Sequence, residues 1–144
     1  MKPYEIIEHT ADVGLKVNGA SLEELFENAA KGMFEIIAGE AFHHSSKVSE
    51  SRQIQIKKAV NGSEELLVEW LSELLYIFNR EEILFRKFKI LRLDNSGEIL
   101  GEASGQKINF SQTTLHTEIK ACTFHGLKIE KNKSGFTCNI IFDV

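Results

Sequence analysis

The sequence predicts an α+β fold, in which a largely antiparallel β-sheet packs against two amphipathic helices at about 21–38 and 63–79. Three observations predict it. Two stretches carry apolar residues at helical spacing, most of the remainder alternates apolar with polar residues, and Asn18-Gly19, Asn61-Gly62 and Asp94-Asn95-Ser96-Gly97 mark turns between these blocks. A chain of 144 residues fits one domain, 1–144, and at this size roughly 68–70% of the unfolded surface can be buried without staples.

The elements follow in order. Residues 4–8 form a short strand with adjacent Ile6 and Ile7, and the single proline, Pro3, stands at its start, where it removes no ladder bond. Val13, Leu15 and Val17 then alternate with Gly14, Lys16 and Asn18, which places Asp12 on the face opposite Val13. Ser21 opens the first helix, with Glu24 three residues on as the partner in a capping box. Leu22, Leu25, Phe26, Ala29, Ala30, Met33, Phe34 and Ile37 lie on one face of it, and Gly39 stops it. Core packing accounts for that stripe better than a partner groove does.

Residues 40–46 hold His43-His44 in a polar setting; a histidine pair can bind metal, but no cysteine or carboxylate stands at ligand spacing to support it. Ile54 and Ile56 belong to a half-exposed strand within 48–59. Ser63 is the expected cap of the second helix, and Glu64 and Glu65 suit the positive end of its dipole. Leu67, Trp70, Leu71, Leu74, Leu75 and Phe78 form its inner face, with Trp70 as a core anchor. Glu69 and Glu73, four apart, either line a solvated flank or face a cation or partner.

Residues 85–93 combine Phe88, Ile90 and Leu93 with Arg86, Lys87, Lys89 and Arg92, the signature of a protected edge strand or of a phosphate-facing patch. A short strand returns over 98–105, and its glycines precede no helix, so no phosphate loop is implied. Alternation over 115–122 predicts a penultimate group of strands, residues 123–127 a turn or bulge, and residues 135–144 the last strand.

Composition bounds the function. Hydrophobic content of 42% with 26% charge is ordinary for a globular protein, and a net charge of −4 argues against a chain whose main task is neutralising phosphates. Cys122 and Cys138 form neither a CxxC pair nor a zinc-site pattern and read as reduced thiols, one disulfide between the last strands being the alternative. The early polar residues do not resemble a signal peptide and no apolar run reaches membrane-spanning length, so the expected location is cytoplasmic, with no membrane partner.

Glu8-His9-Thr10-Ala11-Asp12-Val13-Gly14 is the densest cluster of ionisable and small residues, and the chain closes on Ile140-Ile141-Phe142-Asp143-Val144. If the two ends meet, Asp12, Asp143 and the main-chain carboxylate of Val144 gather at one site. Like charges held that close take up a proton or recruit a cation, and an all-oxygen set suits a hard ion such as calcium or magnesium. His9 and His125 are candidates to support such a site or to serve as hydrogen-bonded structural residues, and Lys120 either meets a partner or phosphate or is a solvated strand lysine.

Tyr4, the run from His9 to Gly14, Ser21-Leu22-Glu23-Glu24-Leu25-Phe26, Gly32-Met33-Phe34, Glu69-Trp70-Leu71-Ser72-Glu73-Leu74-Leu75-Tyr76, Glu118 through Leu127 and the closing Phe142-Asp143-Val144 together resemble the archease family, over nearly the whole length. The resemblance implies an activating protein partner of the tRNA-splicing RNA ligase, not itself an enzyme. Such a partner promotes the ligase's GTP-dependent guanylylation, supports its multiple turnover, broadens its nucleotide use and meets RNA only indirectly. It also implies metal ligands at Asp12, Asp143 and Val144, with calcium the expected ion in isolation and magnesium or manganese in the working complex. Where the family commonly has tyrosine before the late histidine, this chain has Phe124. The alternatives are a metal-dependent hydrolase using His9 or His125 as base, an interaction module whose carboxylates only fix the terminus, and a chaperone-like modulator of a tRNA methyltransferase.

Overall fold

Two antiparallel sheets share one apolar core. The computed structural model describes residues 2–8, 11–43, 47–124 and 126–144. In the first sheet β1 (Tyr4–Glu8) pairs with β2 (Asp12–Gly19), and β2 pairs with β8 (Gly135–Asp143). β8 also carries the short strands β6 (Ala121–Thr123) and β7 (Glu130–Asn132). The second sheet has the order β3 (Glu50–Lys57), β5 (Glu98–Lys107), β4 (Ile83–Asp94). The helices are α1 (Leu22–Ala38) and α2 (Ser63–Glu81), and a 3-10 turn, Gly39–His43, follows α1. This is the expected α+β class, with the strands divided between two sheets.

The division follows from α1. Its buried residues include Asn28, Gly32 and Ile36 as well as the expected apolar stripe, so it is enclosed on more than one side. It packs against β2 of one sheet and β4 of the other. Small side chains allow this: a Cβ at Gly32 would lie 2.6 Å from a methyl of fully buried Leu15 on β2. On the other side, Phe34 stacks with Phe88 and meets Phe85 edge-on. Trp70 of α2 is fully buried and its indole N–H donates to the Phe26 carbonyl at 3.1 Å, locking the helices together.

The helix ends differ in detail from expectation. Ser21 Oγ accepts from the Glu24 N–H at 3.1 Å, while the Glu24 carboxylate reaches back to the Ala20 N–H, one residue earlier than a standard capping box. Gly39 ends α1 with φ of 64°, a region that side chains disfavour, and donates to the Glu35 carbonyl. Ser63 is not the cap of α2: Gly62 holds that position without a side-chain bond, and Glu65 instead accepts from the Asn61 N–H at 3.0 Å.

Two strand expectations also change. Of the predicted 115–122 strand only Ala121 and Cys122 pair in a ladder, which runs on to Thr123. The preceding residues form an extended strap that crosses the end of α1, where the N–H groups of His116 and Thr117 both donate to the Ile37 carbonyl. Burial of Ile119 fixes the strap, so the alternation reports a real inner face without a neighbouring strand. β7 was not expected, because its three residues are all exposed and polar. In β4 the spacings Phe85 to Phe88 and Ile90 to Leu93 break strict alternation, and register shifts fall at both places, returning each residue to the inner face.

Gly32→Ala tests the close approach of α1 to β2. Alanine favours a helix by about 1 kcal/mol over glycine, but overpacking costs about 1–3 kcal/mol. We expect net destabilisation in urea unfolding, partly relieved when Leu15→Val is added. Greater stability of the single variant would refute the packing argument.

Candidate functional site

The site begins with strand register. β2 and β8 run antiparallel with Val13 opposite Phe142, Leu15 opposite Ile140 and Val17 opposite Cys138. All six side chains are buried. Because side chains alternate between faces, the same register puts Asp12 directly opposite Asp143 on the outer face of the sheet. The two ends of the chain therefore meet. On the far side of Asp143 lies Ala121 of β6, and the Lys120 N–H donates to the Asp143 carbonyl at 2.8 Å.

The two carboxylates sit in different surroundings. Asp143 is exposed, whereas Asp12 is half-buried and its Oδ1 is buried without a hydrogen-bond partner among the described residues. A buried carboxylate oxygen is costly unless a donor or a cation meets it. Val144 packs against the edge of the core, one residue beyond Asp143, so its main chain is held at the same end of the sheet. The chemistry of this donor set fits a hard cation: oxygen ligands only, with one oxygen already desolvated.

The other predicted residues fall variously. His9 and His125 lie outside the described residues, as does His44. Lys120 is exposed beside Asp143, tied to it through the main chain. Glu69 pairs with Lys58 at 2.9 Å and Glu73 is half-buried on α2. Among the described residues no three His, Cys, Asp or Glu side chains gather as metal ligands, so Asp12 and Asp143 stand there as a pair of side-chain carboxylates, with the main chain of Val144 one residue on.

His43 Nε2 bonds instead to Glu35, whose same oxygen accepts from the Tyr4 hydroxyl at 2.8 Å. Cys122 and Cys138 are free thiols, and burial pushes each up to about 12, so they stay protonated and unreactive at neutral pH. Arg86 of the basic strand donates to the carbonyls of Phe42 and Ala41, and Arg92 pairs with Glu98 at 2.8 Å. β4 is the outer strand of its sheet, as the edge reading expects, and Glu27, which that reading did not name, accepts from the Ile90 N–H at 2.8 Å on its open side. The main-chain bond from Lys120 to Asp143 had no signal in the sequence.

No helix among the described residues is long and apolar enough to cross a membrane. The Archease protein family (MTH1598/TM1083) matches residues 4–144. Protein archease of Methanosarcina barkeri is 38% identical over 146 residues, covering 99% of this chain and 97% of its own. Protein archease of Saccharolobus solfataricus is 39% identical over 144 residues, covering both chains fully. Among solved structures, the solution structure of Methanobacterium thermoautotrophicum protein 1598 superposes with a TM-score of 0.79 at 34% identity, covering 100% of each chain. The crystal structure of an archease, possible chaperone, from Thermotoga maritima shares the fold with a TM-score of 0.59 at 22% identity, covering 96% of this chain and 94% of that one. A family match across nearly the whole length, relatives at this identity and the same fold lead to one conclusion: this chain belongs to the archease family.

Proposed function

We propose that this chain is an activating protein partner of the tRNA-splicing RNA ligase, not an enzyme itself, and that Asp12, Asp143 and the Val144 main-chain carboxylate hold a divalent cation. The observation that carries the site is the β2–β8 register, which sets the two aspartates side by side with one buried, unpartnered oxygen. Calcium is the ion expected in isolation, magnesium or manganese in the complex. When bound, the ion supplies positive charge against the phosphates of a nucleotide. The chain's own contribution is positional. The core-facing residues of β2 and β8 fix the spacing of the carboxylates, and the strap brings exposed Lys120 beside them, where its ammonium can meet a phosphate or a partner.

Ion binding has its own readout. Melting of the chain should shift upward with calcium, and a ligand at a hundred times its Kd adds about 2.7 kcal/mol. Asp12→Asn and Asp143→Asn should each abolish the shift. An undiminished shift in both variants would remove the cation from this site.

Activation is tested by ligation with the cognate RNA ligase, GTP and divalent metal, adding the chain at substoichiometric amounts. We expect faster guanylylation and restored turnover. Asp12→Ala, and residues appended after Val144, should keep the circular-dichroism spectrum and lose most of the stimulation. No stimulation by the folded wild-type chain defeats the activator reading, and full stimulation by Asp12→Ala defeats only the site.

A further inference from the structure

A cleft of about 700 Å³ opens between β1, the last turn of α1 and the strap. Its apolar surface includes Ile6 and Leu115, and its polar groups are Glu8, Glu35, Glu40, His43 and His116. Among the described residues that line it there is no lysine or arginine. α1 ends at this cleft, its last turn also has no basic residue, and a helix C-terminus adds partial negative charge. Glu35 is engaged by Tyr4 and His43. Burial and the Glu35 carboxylate raise the Tyr4 phenol above its ordinary range, so it remains the donor.

Glu8 and Glu40 differ from Glu35. Both are exposed; among the described residues Glu8 has a single ion-pair contact, His116 Nε2 at 3.9 Å, and Glu40 has no hydrogen bond or ion pair. Two accessible carboxylates over an apolar surface match a cation carried on a methylene stem. They repel phosphate, which excludes RNA as the occupant. Among the described strands β1 is the outer one of its sheet, paired with β2, so an extended main chain can lie along it while its side chain enters the cleft. A planar guanidinium meets two carboxylates better than an ammonium does.

We propose that this cleft receives an arginine-bearing extended segment of a protein partner. Glu8 stands opposite Val13 in the β1–β2 ladder, one residue from Asp12 but on the other face of the sheet, and the strap that carries His116 runs on to Lys120, whose N–H donates to the Asp143 carbonyl. A partner that reaches the carboxylate pair thus finds the cleft on the same end of the sheet. Identifying that partner with the ligase rests on the reading given above, but the cation recognition does not.

The test titrates the isotope-labelled full chain with a short extended peptide carrying one central arginine, followed by amide chemical shifts. Expected are saturable shifts at Glu8, Glu40 and Thr117, with affinity lost by roughly tenfold or more when citrulline, the neutral isostere, replaces arginine. Glu8→Gln combined with Glu40→Gln should lose as much while keeping the folded spectrum, since both residues are exposed. Absent shifts, or equal binding of the citrulline peptide, overturn the proposal. Spermidine binding as tightly as the peptide also overturns it, by making this a site for a free polyamine. No ligase is present, so a failed titration beside intact ligase stimulation refutes the cleft alone, and the converse refutes the activator reading alone.

Discussion

The antiparallel register of β2 and β8 is the constraint on which the rest of the molecule depends. It pairs the beginning of the chain with its end from Asp12 opposite Asp143 to Gly19 opposite Phe136. Leu15, Val17, Cys138, Ile140 and Phe142 are thereby turned inward to form the wall against which α1 packs. A slip of one residue by either strand would reverse every side chain in it, exposing its share of that wall and driving its aspartate into the core. The magnitudes decide the outcome. Burying a large apolar side chain contributes about 1.5–3 kcal/mol, and several are at stake, whereas like charges opposite one another on a sheet cost only about 0.2–1 kcal/mol. Core packing therefore holds the two carboxylates together against their repulsion.

The second consequence of that wall is the position of α1. Enclosed between β2 and β4, it tolerates bulk toward the second sheet, where Phe34 meets Phe85 and Phe88, but not toward Leu15, where Gly32 stands. Asn28, buried within the same helix, is satisfied by donating to the Asn18 carbonyl at 2.7 Å, which ties the helix to the end of β2. The far end of α1 is fixed by the strap, through the two N–H groups shared by the Ile37 carbonyl. A single buried helix thus sets the location of both the strand wall and the segment that leads to Lys120.

Much of this was legible in the sequence, for physical reasons that differ from element to element. The periods of α1, α2, β2 and β8 are long and regular, so burial wrote them plainly into residue order. The aspartates could be named as a pair because each follows from alternation against an apolar strand, yet their meeting needed the register, which no local pattern encodes. The strap read as a strand because its inner residues alternate toward the core, while its N–H groups are satisfied by a helix end instead of a neighbouring ladder. The cleft was illegible for a simpler reason: Glu8, Glu35, Glu40 and His116 come from separate segments and share no spacing.

A site made from the two ends of a chain behaves differently from one carried on a single loop. In the unfolded chain Asp12 and Asp143 are separated by almost the entire sequence, and closing a loop of that length is entropically costly. Their juxtaposition exists only when the β2–β8 ladder exists. Whatever binds both carboxylates consequently binds the folded chain and not the unfolded one, and its binding free energy adds to stability by linkage. On one side β6 pairs Ala121 with Asp143, and on the other β1 pairs with β2 as far as Val13, the neighbour of Asp12. The carboxylate pair is held in place by the inward-facing residues of β2 and β8, whose burial involves neither aspartate, so a variant lacking either carboxylate can keep the architecture while losing what the pair contributes.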